Sequence, residues 1–97
     1  MTGTTRSSEG LDVRRRKLLF RSWHRGMREM DLIMGRFADT TLADLAETEL
    51  ADFERLIDLP DRDILAWVTG EEAVPAEQDT PLFRRLRDFH FSSVRLR

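Results

Sequence analysis

Residues 25–31 read RGMREMD, four charged side chains and a glycine in seven positions. Arg25, Arg28, Glu29 and Asp31 are all suited to charge-assisted hydrogen bonds, and an arginine fork can hold a carboxylate in a bidentate pair. Gly26 lets the backbone adopt positive φ or approach another surface closely. His24, just before the group, adds an imidazole. Two kinds of chemistry are open to such a cluster. One is local: a helix stop at Gly26, first-turn acids at Glu29 and Asp31 that favour the helix dipole, and solvated arginines. The other is recognition of a charged partner. The local reading accounts for each residue alone. It does not account for their density, or for the lack of a comparable cluster at the other helix starts.

Other chemistry is scarce. The chain has no cysteine, which excludes disulfides, thiolate nucleophiles and cysteine metal sites. His24 and His90 are its two histidines, far apart and without zinc-ligand spacing, so no metal is expected. There is no nucleophile elbow, no P-loop and no G-x-G-x-x-G fingerprint. The acid pair Glu71–Glu72 falls in a polar stretch without an apolar shell. General acid–base work needs a protected pocket, so the chain is not expected to be an enzyme.

The elements that must position the cluster are short. A chain of 97 residues fits one domain with a small core. Hydrophobic residues make up 40% and charged residues 35%, which leaves little room for a deep enclosed site. Residues 12–25 predict a helix capped by Asp12, with Leu19, Trp23 and Met27 at i, i+4, i+8. Residues 27–40 predict a second, with Met30, Ile33, Met34 and Phe37 on one stripe. Leu32 falls off that stripe and is expected to face a neighbour. Gly35 weakens the helix by about 1 kcal/mol relative to alanine, and so marks a candidate close contact between helices.

A third helix is expected after Thr48 as cap, burying Leu50, Phe53, Leu56 and Ile57 and ended by Pro60. Asp61 opens a fourth, which Gly70 stops. Thr80-Pro81 starts a fifth, with Leu82, Phe83, Leu86 and Phe89 on its apolar side. No stretch alternates with period two for long enough to be a strand. The expected fold is all-α, a compact bundle of about five short helices over residues 12–90. Residues 1–11 are expected to be a disordered arm, and 91–97 a tail.

Net charge is −2, unevenly spread. Residues 1–36 carry nine basic and four acidic side chains, a balance of +5; residues 37–80 carry two and thirteen, a balance of −11; residues 81–97 carry five and one, a balance of +4. The basic run RRRK at 14–17 suits phosphate contacts, but it spreads around a helix and faces thirteen acids in the middle block. Nucleic-acid binding is therefore the lesser alternative, as part of a regulatory or antitoxin-like interaction protein. No apolar run approaches ~20 residues, so no membrane span is expected. Glu9 and Asp12 weigh against a mitochondrial presequence.

The cluster resembles a family motif. Arg25, Gly26, Glu29 and Asp31, after a short basic helix in a small all-α chain, match the R-G-x-x-E-x-D of the SdhE-type FAD assembly factors and their mitochondrial counterparts. The likeness runs from about residue 13 through the fourth helix and weakens in the last twenty residues. One departure is His24, where many members have arginine.

This resemblance implies an assembly factor that binds the flavoprotein subunit of succinate dehydrogenase, with fumarate reductase as a further client. Covalent attachment of FAD to a histidine of that subunit would be promoted, with FAD and its acceptor belonging to the partner and no cofactor held stably here. The partner-binding residues it implies are His24, Arg25, Gly26, Arg28, Glu29 and Asp31. Arg25 and Arg28 are expected to reach toward carboxylates of the partner. Glu29 is expected to meet a partner's arginine or histidine, or to order the flavin's surroundings. Asp31 is the candidate for holding the motif from within. A monomer in the bacterial cytoplasm is the expected form, with the mitochondrial matrix as the alternative compartment.

Overall fold

Asp12 begins the fold. Its carboxylate accepts from the Arg15 N–H at 2.8 Å and caps the first helix, α1 (Val13–Trp23). The structure, a computed structural model, describes residues 10–95. After a short connection comes α2 (Arg28–Thr41), which tightens into a 3-10 turn (Leu42–Asp44). Then follow α3 (Glu47–Ile57), α4 (Asp61–Thr69), a second 3-10 turn (Ala76–Gln78) and α5 (Pro81–Arg95). Among the described residues there is no strand, and the all-α expectation holds. The radius of gyration is 12.6 Å, in line with the roughly 13 Å of a packed domain of this length.

Most helix ends follow their expected chemistry. The Thr80 hydroxyl accepts from the Phe83 N–H at 3.0 Å, with Pro81 in the first helical position. Gly70 closes α4 in the left-handed region, at φ 83°. The start of α3 differs. Its cap is Ala46 rather than Thr48, because the Glu49 carboxylate reaches back to accept from the Ala46 N–H at 3.2 Å. Pro60 likewise does not end α3, which stops at Ile57; it is the cap residue of α4.

The bundle extends past its expected limits. Leu11, assigned to the arm, is buried in the core. The helix α5 carries on through residues 91–95, assigned to the tail. Residues 1–9 of the arm and 96–97 of the tail lie outside the described residues.

Phe37 of α2 sits at the centre. Its ring lies 5.7 Å from those of Phe53 on α3 and Phe89 on α5, tilted against both. Met30, Met34, Leu50, Ile57, Ile64, Leu82 and Leu86 are fully buried around it. The helix α1 packs most extensively on α2. There Gly35 does what its low helix propensity foretold: a Cβ built on it would stand 2.3 Å from the Trp23 ring. The indole fills that space, and its Nε1–H donates to Asp39 Oδ1 at 3.3 Å.

The basic run is divided by this packing. The Arg14 guanidinium donates to Glu54 at 2.6 and 2.9 Å and to Glu47 at 2.7 Å, tying α1 to α3. These carboxylates hold the Arg14 pKa above its ordinary value, and Arg14 holds that of Glu54 below the usual carboxylate range. Arg15 donates to the backbone carbonyls of Leu42 and Leu45 at 2.9 and 2.7 Å. It thus satisfies acceptors where α2 runs out. Two of the four basic residues are therefore engaged within the fold, and only Arg16 and Lys17 are exposed.

Candidate functional site

The connection between α1 and α2 is built from both ends. The helix α1 ends with His24 as its C-cap. Gly26 follows at φ 96°, a conformation that side chains rarely adopt. Met27 is extended and caps α2, its carbonyl accepting from the Asp31 N–H at 2.9 Å. Gly26 is thus not the stop of α1, as expected, but the residue that turns the chain three positions later. Its surroundings are open, with nothing within 4 Å of a built Cβ.

Two of the four charges hold this turn from inside. The Asp31 carboxylate reaches back to accept from the Arg25 N–H at 2.6 Å, closing the loop on itself. The Arg25 side chain turns the other way. Its Nε and Nη2 lie 2.8 and 2.6 Å from Asp61 Oδ1, and Nη2 also donates to the Leu59 carbonyl at 3.4 Å. The ion pair is largely withdrawn from water, with 10% of the Arg25 side chain and 16% of the Asp61 side chain exposed. Arg25 was expected to reach a partner's carboxylates; its guanidinium is instead held by the first residue of α4. This pins the α1–α2 turn to the α3–α4 turn.

The other charges face outward. Arg28 and Glu29 stand in the first turn of α2, both exposed, and neither makes an ion pair among the described residues. His24 is exposed as well; its ring stacks on Phe20 at 3.9 Å, and Nδ1–H donates to the Phe20 carbonyl at 2.7 Å. Of the six residues expected at a partner surface, the structure therefore brings Gly26, Arg28, Glu29 and His24 to the outside. Arg25 and Asp31 form the support beneath them.

Beside Glu29 runs a groove of about 180 Å³ between α2 and α5. Leu32, Ile33 and Phe89 give it apolar walls; Arg36, His90 and Ser93 line the rest. Leu32, which was expected to face a neighbour, is half-buried and lines this groove. Burial pushes the His90 imidazole pKa below its ordinary value. Asp61 and this groove were not read from the sequence as parts of a site. Asp61 signalled only a helix start, and α5 meets α2 only once the bundle closes. Among the described residues, no group of three or more His, Asp or Glu is placed to hold a metal ion, and no helix is long and apolar enough to cross a membrane.

The same arrangement of sequence recurs in known proteins. A family model described as the flavinator of succinate dehydrogenase, Sdh5, matches residues 16–90. The chain belongs to this family. The FAD assembly factor SdhE of Acetobacter pasteurianus is 35% identical over 80 residues, covering 82% of this chain and 73% of that protein. The mitochondrial succinate dehydrogenase assembly factor 2 of Dictyostelium discoideum is 40% identical over 70 residues, 72% of this chain and 50% of that protein. Its counterpart in Scheffersomyces stipitis is 41% identical over 83 residues, 86% of this chain and 52% of that protein. The chain thus spans about half the length of these two mitochondrial relatives. The family match also reaches into α5, as far as residue 90, further than the motif-based likeness, which faded in the last twenty residues.

Proposed function

We propose that this flavinator-family chain binds the flavoprotein subunit of succinate dehydrogenase through the outward face of the α1–α2 turn. Gly26, Arg28 and Glu29 would make the contact, and the adjoining groove would receive an apolar side chain of the partner. The observation that supports this most is the division of the motif: Arg25 and Asp31 lock the turn, while Arg28 and Glu29 project from it with no ion pair among the described residues. A rigid turn that carries unpaired charge loses little conformational freedom on binding, so more of each contact appears as affinity.

In this reading the chain is an assembly factor and not the catalyst. FAD and the acceptor histidine belong to the partner, and FAD supplies its own electrophilic chemistry when bound there. This chain's contribution is to favour the flavoprotein conformation in which histidine and flavin are aligned, a shift of population driven by differential binding. Glu29 would meet a cationic group of the partner, and Arg28 a carboxylate. A one-to-one complex in the bacterial cytoplasm is the form proposed, with a fumarate reductase flavoprotein as the second client to examine.

The test is co-purification of the full chain with the succinate dehydrogenase flavoprotein subunit, followed by flavin fluorescence of that subunit in a denaturing gel. Stable capture, and more covalent flavin in cells that contain the chain than in cells that lack it, is the expected result. No capture and no change in covalent flavin would refute the reading.

A further inference from the structure

The outer face of α1 carries two large apolar side chains, Val13 and Phe20, that are exposed among the described residues. Val13, Lys17, Phe20 and His24 recur at i, i+4, i+7 and i+11, a single stripe opposite the buried Leu18, Leu19, Ser22 and Trp23. Val13 is 55% exposed and Phe20 63%. One such residue is ordinary, but here two share a stripe and border a shallow depression with Arg16, Lys17 and Arg21. The Phe20 ring also stacks on His24, at 3.9 Å with 16° between planes.

The charge on this face has one sign. Arg16 and Lys17 are exposed and make no ion pair among the described residues. The carboxylates that border the face are already occupied: Glu54 by Arg14 at 2.6 Å, and Asp58 by Arg21 at 2.5 Å. The stripe also ends at His24, the residue before the motif turn.

We infer that this face of α1 is a second docking surface for the flavoprotein, and that it receives an acidic segment of that partner carrying an apolar side chain. The inference rests on the proposed function. Phe20 and Val13 form the anchor, since aromatic side chains at the centre of a contact carry most of its energy. Arg16 and Lys17 form a cationic rim, which steers association more than it adds affinity. A polyanion is a poorer match. Only two cations here are unengaged, the face is about 16 Å long, and the −11 block at residues 37–80 would repel a continuous phosphate backbone.

Kinetic binding of the purified flavoprotein subunit to the full chain, at low and physiological salt, tests this. Wild type is compared with Phe20→Ser, Lys17→Glu and Glu29→Ala, each checked by thermal melting. Phe20→Ser is expected to weaken binding at least about fivefold through faster dissociation. Lys17→Glu is expected to slow association and flatten its salt dependence. Wild-type rates for both, with Glu29→Ala impaired, overturn the inference and leave the proposed function standing. The inference also fails if wild type does not bind the subunit, which refutes the proposed function with it. It fails too if Lys17→Glu abolishes retention on poly(U) RNA or phosphatidylserine vesicles while flavoprotein binding is unchanged.

Discussion

Arg25 and Asp61 are 36 residues apart in sequence and form the ion pair that joins the α1–α2 turn to the start of α4. The pair is mostly withdrawn from water, so removing one partner leaves the other charge buried and unpaired. Arg25→Ala is expected to cost about 2–4 kcal/mol of stability, and Asp61→Asn somewhat less, because the amide oxygen still accepts. Urea unfolding of both singles and the double variant checks this. The double should cost less than the two singles together, so the interaction term, the cost of the double minus that of both singles, is negative.

Gly35→Ala is expected to destabilise by about 1–3 kcal/mol, even though alanine is the better helix former. The added Cβ would stand 2.3 Å from Trp23, whose ring has backbone and core around it and little room to move. A melting temperature below that of wild type, with loss of the near-ultraviolet tryptophan signal, is the expected readout.

At Gly26 the surroundings are open, so the penalty there is conformational and not steric. Gly26→Ala at φ 96° is expected to cost about 1–2 kcal/mol. Equilibrium unfolding should show that loss, with a native far-ultraviolet spectrum retained. Gly26→Arg adds bulk on the exposed face and is expected to lower covalent flavin on the partner further than its stability loss explains.

These expectations show which parts were legible in the sequence. The helices announce themselves because their stripes and caps are local: Thr80 with Pro81, Asp12, and Gly70 act within one turn. Gly35 was legible as an anomaly, a poor helix former in a strong apolar stripe. Asp31 was legible as the charge that holds the motif from within, but the inward turn of the Arg25 side chain was not. Arg25 and Arg28 are the same residue type three positions apart, and the difference between them is Asp61, brought up by the packing of another helix pair. The cap of α3 escaped for a related reason. A glutamate at the third position stood in for the threonine cap.

His90 makes acid stability depend on the groove. Burial lowers its imidazole pKa in the folded state, so the unfolded chain binds its proton more readily. Its contribution is therefore present above the ordinary histidine pKa of about 6.5 and is lost as pH falls below that value. Glu29 and Arg36 are the charged groups that line the same groove, one of each sign. The melting temperature of wild type is expected to fall between pH 7 and pH 5, and that of His90→Gln to fall less. The carboxylates of Glu49 and Glu54, lowered by Arg85 and Arg14, add a second loss at more acid pH as they are protonated.

In the proposed function Glu29 acts outward while Arg25 and Asp31 hold the turn. This division is tested most directly by Glu29→Ala in cells that lack the native factor, reading covalent flavin on the succinate dehydrogenase flavoprotein in a denaturing gel. Glu29 is exposed and makes no ion pair among the described residues, so the purified variant should stay within about 0.5 kcal/mol of wild-type stability. A clear loss of covalent flavin, from a variant as stable as wild type, is the expected result. Normal flavinylation by that variant would contradict it.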